Sequence, residues 1–192
     1  MLRNCIVCLV FFGITTLVYG QEERATASTR INGKSVMIEY GSPALKGRNP
    51  AELMKKLPAD RIWRAGAGAV TTLATETDLT IGDKQVPAGK YSLYMYCPED
   101  GDFSLVINRD LGVPLAEIFP QAPPERAKDP YPHFFNYTEE IGDKELTRVP
   151  LKQIDSENTE SLSYGFTPAG RGALLAISWG KQAWTVELQA AD

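Results

Sequence analysis

Hydrophobic and polar residues alternate along most of the chain with the two-residue period of β-strands. In residues 90–97, for example, Leu93, Met95 and Cys97 are predicted to face one side of a strand, and the intervening residues, Tyr94 among them, the other. Gly- and Pro-containing turns separate such runs at the short intervals of an all-β protein. The pattern predicts about eight or nine short strands in a two-sheet β-sandwich, of which the jelly roll is one form. The clearest runs are residues 36–40, 90–97, 103–107, 162–166, 174–179 and 184–188.

One short helix is predicted where Asn49 and Pro50 interrupt the β pattern. Asn is a favoured N-cap residue, and Pro is favoured at the first helical position. Glu52 stands where its side chain can reach back to the cap, as in a capping box. Pro58 is predicted to end the helix after about two turns.

Prolines restrict the structure of two further segments. Residues 111–137 contain six prolines, which prevent any long regular element, so a lid or an irregular wrap over a sheet is predicted. Pro150 cannot donate a hydrogen bond to a neighbouring strand, so residues 147–154 are predicted to form an edge strand. Gly180 and the two residues after it are predicted to form the last turn of the chain.

The first 20 residues have the three-part pattern of a cleavable signal peptide. Arg3 precedes an apolar run over residues 5–18, and Val18-Tyr19-Gly20 stands before the expected cleavage site. The apolar run is short for a membrane span, which needs about 20 residues; an uncleaved membrane anchor is the alternative. We therefore expect an exported bacterial protein, periplasmic or extracellular and not inserted in a membrane, whose residues 21–192 form a single domain.

Charge and the rare residue types narrow the classes of function. The net charge of −4 at pH 7 comes from charges interspersed along the chain, which argues against nucleic acid and anionic membranes as partners. His133 is the only histidine, so a metal site with two or three histidines is excluded, and no cofactor is expected. Removal of the signal leaves Cys97 as the only cysteine, and its place in a strand predicts a buried structural thiol without a disulfide.

Cations and one tryptophan cluster between the first predicted strand and the β pattern that follows the helix. Lys46, Arg48 and Arg64 are predicted to form a cationic pocket with Trp63 as its wall, suited to a carboxylate, a phosphate or a sugar. The loop residue His133 is included as a further candidate ligand-binding side chain. In the alternative interpretation Trp63 fills the end of the sandwich, and the arginines pair with acidic residues, namely Glu52, Asp60 or Asp78.

The order of short motifs in this region resembles a known family. A strand ending in Tyr-x-x-Pro is followed by Lys-Gly-Arg, a short helix, Trp-Arg-x-Gly, a Thr-rich strand and Pro-Ala-Gly-x-Tyr-Ser-Leu. This order is similar to that of the DUF2911 family of exported bacterial proteins, over nearly all of residues 21–192. The resemblance implies a secreted β-sandwich of unknown function and supplies no catalytic residue. The chain departs from the family at Ser42, where Arg is common, and at Gly68, where Asn is common. The matching residues are Tyr40, Pro43, Lys46-Gly47-Arg48, Trp63-Arg64-Ala65-Gly66, Thr71-Thr72 and residues 87–93.

Three classes of function remain open on these grounds. The leading one is a binding module for a small polar or glycan-like ligand. The second is a hydrolase that uses His133 or a pair of carboxylates from the turn that contains Glu99, Asp100 and Asp102. The third is a structural or interaction protein of the cell envelope. A β-sandwich can carry any of the three, so the fold cannot decide between them.

Overall fold

The computed structural model describes residues 24–133 and 136–191. The predicted signal peptide at residues 1–20 lies outside this part of the chain. The described helical segments are α1 (Pro50–Met54), α2 (Leu115–Ile118) and α3 (Tyr137–Ile141), the last followed by a 3₁₀ turn at Gly142–Lys144. No helix among these residues is long and apolar enough to cross a membrane. The described strands are β1 (Arg24–Ile31), β2 (Lys34–Gly41), β3 (Ile62–Trp63), β4 (Thr71–Thr75), β5 (Leu79–Ile81), β6 (Lys84–Val86), β7 (Gly89–Tyr96), β8 (Ser104–Asn108), β9 (Val113–Pro114), β10 (Pro130–Tyr131), β11 (Glu145–Pro150), β12 (Lys152–Ala169) and β13 (Gly172–Ala190).

These strands form two main antiparallel sheets and one small one. The larger sheet has seven strands in the order β1-β2-β4-β7-β8-β11, with β3 pairing β7 beyond the end of β4. The smaller main sheet has the order β12-β13-β5-β6, and β9 and β10 form a separate two-stranded ladder. Four of these strand pairs, β1-β2, β5-β6, β7-β8 and β12-β13, are hairpins of consecutive strands, and the other pairs in the two main sheets join strands that are not neighbours in sequence.

One hydrophobic core joins the inner faces of the two main sheets, which is the sandwich-like arrangement predicted from the alternation. Leu93, Met95 and Cys97 enter this core from the larger sheet, and Ile177 and Trp184 enter it from the smaller one. Each of these five side chains is at most 1% exposed. The predicted burial of the Cys97 thiol is therefore confirmed.

The predicted helix and the predicted edge strand are both present. The Asn49 side chain accepts a hydrogen bond from the backbone N–H of Ala51 at 2.9 Å, so the N-cap is as expected. Glu52 pairs with Lys55 at 2.7 Å instead of returning to the cap, and α1 is shorter than the two turns predicted. β11, which contains Pro150, is the outermost strand at one edge of the larger sheet.

Two predictions about strand boundaries were wrong. Residues 147–154 do not form one strand, because the chain leaves the larger sheet at the buried residue Leu151 and enters the smaller one as β12. The expected turn at Gly180 is instead a point within the long strand β13, where the pairing with β12 shifts register. Gly180 adopts a left-handed φ of +67° there, and a Cβ atom at this position would stand 3.0 Å from Pro50. Gly180 is therefore part of a β-bulge that packs against Pro50 at the start of α1.

Candidate functional site

A cavity of about 280 Å³ lies on the outer face of the larger sheet, opposite the main core. The alternation along β7 sends Leu93 and Met95 inward and Tyr94 to this outer face, where it joins a second, smaller apolar cluster. Residues of α3 and of the proline-rich segment cover part of the same face. The cavity is lined by Pro58, Asp60, Ile62, Arg64, Tyr94, Pro132, His133, Asn136 and Tyr137.

β3 and the turn after it position Arg64. Arg64 lines the cavity, whereas Trp63 before it packs against the main core. Ala65 follows with a left-handed φ of +51°. Its carbonyl oxygen accepts hydrogen bonds from the hydroxyls of Thr71 at 3.1 Å and Tyr164 at 2.7 Å. Two buried donors therefore hold the turn that directs Arg64 to the outer face.

Arg64 and Tyr94 bring uncommitted hydrogen-bond donors to the cavity. The partly buried guanidinium of Arg64 makes no hydrogen bond or ion pair within residues 24–133 and 136–191. The Tyr94 hydroxyl is buried and makes no well-aligned hydrogen bond there, although Ser92 lies close enough to interact with it. Burial raises the pKa of Tyr94, although Ser92 and Arg64 act in the opposite direction. The hydroxyl therefore keeps its proton at neutral pH and can donate it.

His133 stands between two carboxylates that come from different elements. Its Nε2 lies 3.3 Å from Asp110 Oδ1, after β8, and its Nδ1 lies 3.3 Å from Glu140 Oε2, on α3. The three side chains are 22%, 11% and 31% exposed, respectively. His133 Nε2 and Glu140 Oε2 have no hydrogen bond of good geometry within the described residues. The imidazole thus lies between two carboxylates without a well-aligned hydrogen bond from Nε2 to Asp110.

The Asp110 carboxylate beside His133 is held in place by two hydrogen bonds. Its carboxylate accepts hydrogen bonds from the backbone N–H of Gly112 at 2.8 Å and from Lys144 Nζ at 2.7 Å. Burial by itself would raise the pKa of Asp110, but these hydrogen bonds and the nearby charges of Lys144 and His133 lower it. Asp110 is therefore ionised at neutral pH and presents a negative charge to the imidazole.

A buried polar network holds α3 against the larger sheet. The fully buried Asn108 donates from its amide to the Tyr137 hydroxyl and to the Ile141 carbonyl, each at 2.8 Å. The Tyr137 hydroxyl donates in turn to Glu145 at 3.1 Å, and Glu145 forms a two-point ion pair with Arg148. Because a buried amide with satisfied partners resists displacement, α3 and the cavity wall that it forms are well positioned.

Of the five predicted site residues, Arg64 and His133 line this cavity and the other three lie elsewhere. Trp63 stacks on Trp179 with ring centroids 5.3 Å apart and an interplanar angle of 2°. Arg48 donates to the carbonyls of its own turn, those of Ala44 and Leu45. The side chain of the fifth residue, Lys46, is exposed, and its backbone N–H donates to the carboxylate of Glu160 at 2.7 Å.

The acidic residues considered in the sequence have other roles. Within the described residues, no arginine pairs with Glu52, Asp60 or Asp78: Glu52 binds Lys55, and the other two accept hydrogen bonds from backbone N–H groups. The carboxylates of the turn at residues 99–102 are exposed and do not line the cavity. Among the residues that the structure describes, no group of three or more His, Cys, Asp or Glu side chains could hold a metal ion.

Three residues of the site were missed by the sequence analysis: Tyr94, Asp110 and Glu140. The alternation in β7 placed Tyr94 on the second face of its strand, which was the available signal that its hydroxyl did not belong to the main core. Asp110 and Glu140 gave no such signal, because they are far apart in sequence and meet only through His133.

The described part of the chain is thus a β-sandwich protein with a small, mixed polar and apolar cavity on the outer face of its larger sheet. The chain belongs to the DUF2911 family, whose description is protein of unknown function and whose model matches residues 22–188. Comparison with curated proteins and with solved structures gives no significant match.

Proposed function

We propose that this protein is a binding module for a small polar ligand and that the cavity lined by Arg64, Tyr94 and His133 is its binding site. The observation that carries the proposal is the pair of uncommitted donors, the Arg64 guanidinium and the buried Tyr94 hydroxyl, in one cavity. Buried polar groups in proteins are nearly always hydrogen-bonded, and an unpaired one costs about 1–3 kcal/mol. A ligand that accepts hydrogen bonds from both donors would offset that cost.

The position of Trp63 bears on the kind of ligand. Its ring is stacked on Trp179 and packed against the main core, and it does not line the cavity, so a sugar ring bound in the cavity would not stack on it. The proposed ligand is therefore held by hydrogen bonds and charge from Arg64 and its neighbours, with the apolar walls of the cavity as support.

The surroundings of His133 favour binding over hydrolysis. A general base needs one imidazole nitrogen free to accept a proton from a nucleophile or a water molecule. Here each nitrogen already faces a carboxylate oxygen at 3.3 Å, so neither nitrogen is open to a nucleophile. The proposal therefore assigns His133 a place in the cavity wall and no role as a general base.

The proposal includes export. It is supported by the signal-like pattern of residues 1–20, and it places ligand binding in the periplasm or the medium after cleavage. The lack of long basic runs in the chain fits a partner that is a small molecule and not a nucleic acid.

The test is a ligand screen with matched variants. Organic anions, organic cations and neutral sugars are screened by thermal shift against wild type, Arg64→Gln and Arg30→Gln. Arg30 is the control, because its side chain is exposed and, among the described residues, its guanidinium donates only to Gly33 in the β1–β2 turn. We expect a ligand that stabilises wild type and the Arg30 variant and loses at least about tenfold in affinity for Arg64→Gln, as a lost charge-assisted bond implies. If no compound of any group shows this dependence on Arg64, the proposal is wrong.

A further inference from the structure

The charges and walls of the cavity allow the ligand class to be named, on the assumption that the proposed function is right. We infer that the ligand is a small organic monocarboxylate with an apolar body, bound through its carboxylate to Arg64 and Tyr94. This inference depends on three features of the cavity: the geometry of the donors, the balance of charge and the nature of the walls.

The donors suit a carboxylate. A guanidinium presents two parallel N–H groups that match the two oxygens of a carboxylate. Arg64 is available for this because its side chain makes no hydrogen bond or ion pair within the described residues. The Tyr94 hydroxyl adds a third donor from the sheet beneath, and its burial keeps it protonated.

The acidic residues around the cavity act against a second negative charge. Asp60 lines the cavity, and Glu140 and Asp110 lie 3.3 Å from His133 on either side. Lys144 binds Asp110 directly, so its charge is already committed. A monoanion is balanced by Arg64, whereas a phosphate or dicarboxylate dianion would place an uncompensated charge close to these carboxylates.

The remaining walls are apolar. Pro58, Ile62, Pro132 and the ring of Tyr137 line the cavity beside the polar groups, and Ile62 and Tyr137 belong to the outer apolar cluster. A volume of about 280 Å³ is at the lower end of the range of small-molecule sites. The carboxylate-bearing molecule is therefore expected to be small, with a hydrocarbon part that covers these walls.

The test compares compounds that differ in one property each. Butyrate, butyramide, succinate and inorganic phosphate are titrated into ¹⁵N-labelled wild-type protein, Arg64→Gln, Arg64→Lys and Arg30→Gln, and binding is followed by NMR. Hexanoate extends the series by two methylene groups. We expect butyrate to shift signals of cavity residues and hexanoate to bind more tightly, by about fourfold per methylene group buried. Butyramide, succinate and phosphate should bind at least tenfold more weakly than butyrate.

The Arg64 variants distinguish binding by the two parallel N–H donors of a guanidinium from binding by a positive charge alone. Arg64→Gln should abolish carboxylate binding, Arg64→Lys should retain only part of it because the two parallel donors are lost, and Arg30→Gln should bind as wild type does. Tight binding of phosphate or succinate, or equal binding of butyramide, would overturn the inference. If none of the carboxylates binds while another ligand binds in an Arg64-dependent manner, the inference also fails, but the proposed function stands. Absence of any Arg64-dependent ligand defeats both.

Discussion

Replacement of Tyr94 by Phe should make the unliganded protein more stable and weaken ligand binding. The Tyr94 side chain is 4% exposed, and its hydroxyl makes no well-aligned hydrogen bond within the described residues. Phe keeps the ring, and with it the edge contact to Tyr137 at 4.8 Å between centroids. Removal of an unpaired buried hydroxyl relieves about 1–3 kcal/mol of desolvation cost, so we expect the free energy of unfolding to rise by about that amount.

Tyr164→Phe is the matched control, and we expect it to lower the free energy of unfolding where Tyr94→Phe raises it. The Tyr164 hydroxyl is also buried, but it donates to the Ala65 carbonyl at 2.7 Å. That carbonyl keeps its second donor, Thr71, so the change removes one hydrogen bond without leaving an unpaired acceptor. The expected loss is about 0.5–1.5 kcal/mol.

Urea unfolding at neutral pH measures both variants against wild type, with an unchanged m-value as the sign that the free energies can be compared. The reasoning is refuted if Tyr94→Phe is destabilised as much as Tyr164→Phe. That outcome would mean that the Tyr94 hydroxyl has a structural partner, for which the nearby Ser92 is the candidate. A stabilised Tyr94→Phe variant that binds carboxylates as well as wild type does would instead remove this hydroxyl from the proposed site.

Four further predictions follow from single features of the chain. Thiol reagents should label Cys97 slowly in the native protein and quickly in denaturant, because burial raises its pKa to about 12; rapid native labelling would contradict its place in the core. Asp110→Asn should be destabilised at neutral pH. The loss of unfolding free energy, measured by urea titration, should shrink as pH falls through the lowered pKa of Asp110 in the folded protein. The ionised carboxylate stabilises the fold fully above its ordinary pKa in the unfolded chain, and this stabilisation is lost below its pKa in the folded protein. Gly41→Ala should cost about 3 kcal/mol or more, because its Cβ would stand 1.9 Å from a backbone carbonyl oxygen, whereas Gly165→Ala has no atom within 4 Å and should leave the unfolding midpoint nearly unchanged. Intact-mass analysis of protein from the native host should show an N-terminus at Gln21, and retention of the first 20 residues would overturn the prediction of a cleaved signal peptide.

The local sequence determined most of the strands and their inner and outer faces. Side chains alternate across a strand by geometry, so the pattern in residues 90–97 was sufficient to place Cys97 in the core and Tyr94 outside it. Capping chemistry likewise identified the start of α1, because Asn49 and Pro50 act on backbone groups within the same turn.

Local patterns could not show where the chain changes sheets. Leu151 looks like any other apolar residue of a strand, and only the facing sheet makes it the point of crossing. Gly180 and the two residues after it have the composition of a turn. The long pairing of β12 with β13 and the packing of Pro50 nevertheless place Gly180 in a β-bulge. A glycine permits a left-handed backbone in either setting, so the residue alone does not distinguish them.

The candidate site also depends partly on local sequence and partly on tertiary packing. Sequence reasoning selected Arg64 and His133 as chemistry-bearing side chains, but it grouped Arg64 with Lys46, Arg48 and Trp63 because those lie nearby in the chain, and it added His133 as a separate loop residue. The alternation that turns Arg64 outward turns Trp63 inward. The remaining groups, Tyr94, Asp110 and Glu140, come from β7, the loop after β8, and α3. Their approach to Arg64 and His133 depends on the packing of α3 and the proline-rich segment over the sheet, which is a property of the whole fold and not of any one stretch of sequence.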